Sequence, residues 1–171
     1  MLKSLKLFSI FLAVLLIVLL IFARGPFIIV TFFIATILVA VLINISKIRI
    51  IGIEFATFLG TVAAIAYDPM AGAIIGAVLI AMHMIIANYL GPYTLWVVPS
   101  YAIGSYVAGV IGGSVLAAGL VATILINGIC LLFTMIFYRQ HAGAYMPYLL
   151  TNIILNFFMF SAFGAGALAL L

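Results

Sequence analysis

The stretch AYDPMAGAIIGAVLIAMHM, residues 66–84, decides how the rest of the chain is read. It holds Asp68, one of only two acidic residues, set between long apolar runs and followed at once by Pro69, Gly72 and Gly76. Proline costs nothing at the first position of a helix, where its missing N–H has no partner to lose. An aspartate just ahead of it accepts from the free N–H groups of the first turn. Asp68 and Pro69 therefore predict a helix cap, where one apolar segment ends and the next begins. The glycines call for a second reason. In lipid, helices associate by close van der Waals packing, which small residues on the contact line allow. Gly72 and Gly76 make one such line, and Ala73, Ala77 and Ala81 make another on a second face, so this helix is expected at the bundle centre. Its neighbours repeat the spacing of four, with Ala56, Gly60 and Ala64 before it and Ser105, Gly109 and Gly113 after it.

Outward from that stretch the chain is oily throughout. Of its 171 residues, 70% are hydrophobic and 5% charged, against about 25% charged in soluble domains. Apolar runs of roughly 20 residues recur, each long enough to cross a ~30 Å hydrocarbon core as a helix. The expected fold class is all-α, a polytopic transmembrane bundle in one integral-membrane domain over residues 1–171. Breaks at ARGP (23–26), SKIR (46–49), DP (68–69), LGPY (90–93), GGS (112–114) and YRQHAGAYMP (138–147) leave seven apolar segments. They cover about 5–23, 27–46, 50–67, 70–90, 94–112, 115–138 and 146–168, for six to seven spans. The third and fifth are short and contain glycine, so either is a candidate for a tilted or irregular span. Residues 1–46 are nearly free of small-residue spacing and read as peripheral, lipid-facing helices; residues 50–171 read as the compact core. The run Leu7–Ala23 is long for a secretory leader and lacks a small-x-small cleavage site, so it reads as a retained anchor.

The net charge of +4 comes from Lys3, Lys6, Arg24, Lys47, Arg49 and Arg139. Six scattered cations make no nucleic-acid surface. They read as topology signal in a multi-pass protein of the cytoplasmic membrane: with the N-terminus inside, five lie inside and only Arg24 outside. The single cysteine, Cys130, excludes an intrachain disulfide.

Polar residues inside a bilayer are costly, so their alignment is informative. Glu54, Thr57, Thr61 and Asp68 fall on one stripe if the third segment is helical. Thr94, Tyr101, Ser105, Ala108 and Gly112 share a face of the fifth, Thr123, Asn127, Cys130, Thr134 and Tyr138 a face of the sixth, and Tyr145, Tyr148, Asn152 and Asn156 a face of the last. Such stripes serve either interhelical hydrogen bonding or a mostly neutral cavity for a small solute. On the second reading the candidate solute contacts are His83, Asn88, Trp96, Tyr101, Asn127, Tyr145, Tyr148, Asn152 and Asn156. Tyr67, Tyr89, Tyr93, Trp96, Tyr138, Tyr145 and Tyr148 sit near segment ends, as an interfacial aromatic belt does, or as residues closing a pocket would. Glu54 is expected to snorkel towards, or pair with, Lys47 and Arg49. His83 falls on the Gly76 line and is expected in a packed contact. His141 belongs to a polar loop with Arg139 and Gln140.

Motifs for other classes are absent. There is no phosphate-binding G-x-x-x-x-G-K-[ST], no H-E-x-x-H and no G-x-S-x-G. No second histidine or carboxylate stands at a ligand spacing to His83. No catalytic residue, metal or cofactor is predicted.

The pattern IGIEFATFLGTVAAIAYDPMAGAIIGAVLIAMHMII, then VVPSYAIGSYVAGVIGG, then YLLTNIILNFFMF, resembles the membrane-embedded S components of energy-coupling-factor transporters and the related rod-shape protein MreD. Asp68-Pro69-Met70-Ala71-Gly72, followed by Gly76, stands where S components carry a helix break and a small-x-x-G-x-x-x-G at their second-to-third helix junction. The resemblance covers about residues 27–171. It implies a bundle of six helices that binds a vitamin or similar micronutrient, with uptake driven by a transmembrane coupling subunit and two ATPases. Likeness to MreD implies instead a non-transporting scaffold that recruits membrane proteins. A small ion or proton channel subunit using Glu54, Asp68 and His83 is a third expectation.

Overall fold

The computed structural model describes residues 11–15, 17–18, 23–46 and 52–171, and among them there is no strand. Helix α1 spans Arg24–Ser46, α2 Ala56–Ala66, α3 Pro69–Ile86, α4 Thr94–Ile111, α5 Val115–Phe137 and α6 Ala142–Leu170. A single 3₁₀ turn, Arg139–His141, leads into α6. The helices α1, α3, α4, α5 and α6 with its leading turn are each long and apolar enough to cross a membrane. Of the segment at 5–23, residues 11–15 and 17–18 are helical; Lys3, Lys6, Lys47 and Arg49 lie outside the described residues.

Helix α2 departs from the sequence expectation. The apolar segment at 50–67 is helical only from Ala56, and residues 52–55 are not helix. Eleven residues rise about 16 Å, half of the hydrocarbon core. Every residue from Ala56 to Ala64 is buried, because α2 is met by α3, α4, α5, α6 and, at its edge, α1. The short helix is thus the hub of the bundle, and the long helices form its wall.

Small residues set how closely the wall approaches. A methyl added to Gly60 would stand 3.0 Å from the Gly76 Cα, and one added to Gly76 would stand 2.6 Å from Ser105 Oγ. Gly72 lies against the Gly60 carbonyl and Ala64, and Gly109 against Ala64 and Pro69. One small-residue contact therefore joins α2, α3 and α4. Further round, Gly104 receives Ile126, Gly119 the Phe160 ring and Gly164 the Val115 side chain. Gly113 plays no such part. It has left α4, has nothing within 4 Å of an added methyl, and takes φ +69° next to Gly112 at +60°. Those left-handed angles explain the pair: they turn the chain between α4 and α5 in a conformation that side chains resist. Gly112 is accordingly off the helical face assigned to it.

The ends of α3 follow from local chemistry. Asp68 accepts the Ala71 N–H at 2.9 Å, and Pro69 takes the first helical position. At the other end Asn88 adopts φ +59°. Its N–H donates to the Ile85 carbonyl, and the Tyr89 N–H donates to that of Met84, the paired bonds that close a helix through a left-handed residue.

Candidate solute cavity and the polar network beside it

A cavity of about 480 Å³ opens between α3, α4, α5 and the start of α6. Six of the chain's eight tyrosines line it, Tyr89, Tyr93, Tyr101, Tyr138, Tyr145 and Tyr148, together with its only tryptophan. Aromatic residues near four separate segment ends are thereby gathered into one wall. Tyr67 stays apart, half exposed, with its hydroxyl against Gly25. Among the described residues no aspartate, glutamate, lysine or arginine lines the space.

Helical spacing delivers these side chains. Cys130, Thr134 and Tyr138 recur at four along α5, and Trp96 and Tyr101 come from adjacent turns of α4. On α6, Tyr145 and Tyr148 stack with centroids 5.5 Å apart. Phe133 and Phe137 of α5 stack on Trp96 at 6.1 and 5.7 Å and hold the indole in place. The polar stretch 138–147 is mostly helix rather than loop, since α6 begins at Ala142. His141, at the turn before it, is exposed and belongs to the cavity rim.

Two atoms on this wall lack partners. His83 Nδ1 and Trp96 Nε1 are buried and make no hydrogen bond within the protein. Leaving a polar atom buried and unpaired costs about 1–3 kcal/mol. His83 is 3% exposed and lines the cavity beside Tyr89.

Beside the cavity lies a second polar feature, built round Glu54. Glu54 is 1% exposed, so it does not snorkel to the surface; the pairing expected with Lys47 and Arg49 falls on residues outside the described ones. It precedes α2 and caps it: Oε2 accepts the Thr57 N–H at 2.9 Å and Oε1 the Thr57 hydroxyl at 2.7 Å. Oε1 also accepts from Asn152 Nδ2 at 3.1 Å and Asn156 Nδ2 at 3.5 Å. The other hydrogen of Asn152 Nδ2 goes to the Gly52 carbonyl at 3.0 Å, and the Gly52 N–H goes to Thr151 Oγ1 at 2.8 Å. Non-helical backbone at membrane depth must be satisfied by protein, and α6 satisfies it here. Gly52 lets the non-helical segment lie close against α6, since a methyl there would be 2.5 Å from the Tyr148 carbonyl. Neither Gly52 nor Thr151 stands out in the sequence as a site residue. The signal available was a glycine and a glutamate two apart just before a helix-forming run.

The asparagines belong to this network and not to the cavity lining. Asn152 Oδ1 accepts from Asn127 Nδ2 at 2.8 Å, and Asn127 Oδ1 accepts from the Tyr145 hydroxyl at 3.2 Å. Of the candidate solute contacts, His83, Trp96, Tyr101, Tyr145 and Tyr148 line the cavity. Asn152 and Asn156 are buried against Glu54, Asn127 is buried against Asn152, and Asn88 is an exposed turn residue outside both features. The third-segment polar stripe also dissolves: Glu54 and Asp68 flank α2, and only Thr57 and Thr61 lie on it. Among the described residues no group of three histidine, cysteine or acidic side chains could hold a metal ion.

Comparison with protein-family profiles, with curated proteins and with solved structures gives no match for this chain.

Proposed function

We propose that this chain is a membrane subunit that binds a small, mostly neutral solute in the aromatic cavity, and that partner subunits energise its transport. The observation that carries the proposal is the pair of buried, unpartnered nitrogens, His83 Nδ1 and Trp96 Nε1, on the wall of a cavity of ligand size. Drug-sized ligands occupy clefts of about 300–1,000 Å³ that are mainly apolar with a few orienting polar groups. The uncharged lining suits a solute without net charge, because a buried ion would find no counter-ion there. The resemblance to S components points the same way, and a coupling subunit with ATPases would supply the driving force.

The test is mass spectrometry of small molecules released from protein purified in mild detergent. A copurified solute is expected, and it should be lost from Trp96→Phe, which keeps the ring and removes the N–H. The MreD-like scaffold is the second reading, favoured by the fact that all three asparagines hydrogen-bond inside the bundle. It predicts no solute, membrane-protein partners at fixed stoichiometry, and Asn156→Leu altering their assembly.

A further inference from the structure

The hydrogen bonds around Glu54 have a direction, and that direction reaches the cavity. A carboxyl that receives four donors and a backbone carbonyl that receives one can only accept here. Asn152 must therefore turn Nδ2 towards Glu54 Oε1 and the Gly52 carbonyl, at 3.1 and 3.0 Å. Its Oδ1 is left facing Asn127 Nδ2 at 2.8 Å. Asn127 Nδ2 is held there by a second acceptor, the Thr123 carbonyl at 2.9 Å, so Asn127 Oδ1 faces Tyr145. An amide oxygen cannot donate, so the Tyr145 hydroxyl gives up its only hydrogen to it, at 3.2 Å. What remains on Tyr145 is a pair of lone pairs. Tyr145 lines the cavity, so these lone pairs are available to it as an acceptor.

Trp96 is the opposite case. Indole Nε1–H is a donor and nothing else, and it is buried without a partner on the same cavity wall. Beside His83 Nδ1, which gives or accepts according to its tautomer, the cavity therefore offers one fixed donor and one fixed acceptor among aromatic faces. Resting on the reading of the cavity as a solute site, the geometry points to a ligand class. The occupant is an uncharged aromatic or heteroaromatic molecule that carries both a hydrogen-bond acceptor, for Trp96, and an N–H or O–H donor, for Tyr145. Amides, lactams and related rings have this chemistry. Tertiary amides, carboxylates and quaternary ammonium ions of the same size lack part of it. Glu54, Asn152 and Asn127 are positioning residues for Tyr145.

Trp96 is the only tryptophan, so its fluorescence reports on the cavity alone. The purified full chain is titrated with four probes that share one ring: benzamide, N,N-dimethylbenzamide, benzoate and phenyltrimethylammonium. Benzamide is expected to bind about tenfold more tightly than its dimethyl analogue, the penalty for leaving a built acceptor unmet, and more tightly than either ion. In Tyr145→Phe the gap between the two amides should close to within about twofold, with dimethylbenzamide unchanged. A dimethyl analogue that binds as well as benzamide, or an ion that binds better, would overturn the ligand class and leave the cavity standing as a solute site. A gap that persists in Tyr145→Phe would overturn the role of Tyr145. Silence from all four probes at millimolar concentration would overturn the inference and the solute reading together. Should Tyr145→Phe not fold, the series on the unaltered chain decides by itself.

Discussion

Gly72 and Gly128 both sit inside helices, yet the structure assigns them opposite costs. An added methyl at Gly72 runs into Ala64 and the Gly60 carbonyl, whereas at Gly128 it meets nothing within 4 Å. Gly72→Ala should therefore destabilise by about 1–3 kcal/mol through overpacking. Gly128→Ala should stabilise by up to about 1 kcal/mol, because alanine loses less backbone freedom in a helix. Melting curves of the two variants in one detergent check both signs. Glu54 gives a second contrast. Glu54→Leu strips acceptors from Thr57, Asn152 and Asn156 and should cost about 3 kcal/mol or more, whereas Glu54→Gln, which keeps one carbonyl oxygen and the shape, should cost less than half of that. At this scale the sequence spoke clearly about glycines at spacings of four and about Asp68-Pro69, whose chemistry is local. It misdirected on Asn88, a polar residue near a predicted cavity that serves only to turn the chain through a left-handed angle.

The element that departs most from its pattern is α2. Periodicity sees a continuous apolar run from 50 to 67 and has no means of locating a break, since both a helix and an extended segment bury apolar side chains. The break at 52–55 exists because α6 presents Thr151 and Asn152 to the Gly52 backbone. That dependence gives a prediction for the element. Gly52→Ala pushes the segment off the Tyr148 carbonyl and removes its hydrogen bonds to α6, so it should destabilise by about 2 kcal/mol or more. Thr151→Val, which deletes only one acceptor, should fall nearer 1 kcal/mol. Chemical-denaturation midpoints in matched micelles rank the two, and equal effects would show that α6 does not support the segment.

Across the whole molecule, three crossing-length helices, α4, α5 and α6, separate Gly91 from the C-terminal Leu171. Reporter fusions at these two positions should therefore read opposite sides of the membrane, and the same side would remove one of the three crossings. Were all seven apolar segments to cross, the charge pattern would put Asp68 outside, whereas the resemblance to S components would imply a cytoplasmic junction there. A third fusion at Asp68 decides between them, and it should also read opposite to Gly91 across α3. The long helices leave large apolar side chains on their outer faces, such as Leu95, Val110, Ile124 and Phe158, each more than 60% exposed. That is the surface lipid covers in a multi-pass protein.

The sequence by itself determined the class of molecule, the starts and stops of most helices, and the faces that turn inward. These depend on composition, caps and period, all of which act over a few residues. The tertiary structure alone decided that the aromatic segment ends converge on one cavity, that α2 is a buried half-length helix, and that Asn152 serves a non-helical backbone. Each of those facts depends on which helix lies beside which. A hydrogen bond between Gly52 and Asn152, 100 positions apart, leaves no trace in the local pattern at either end.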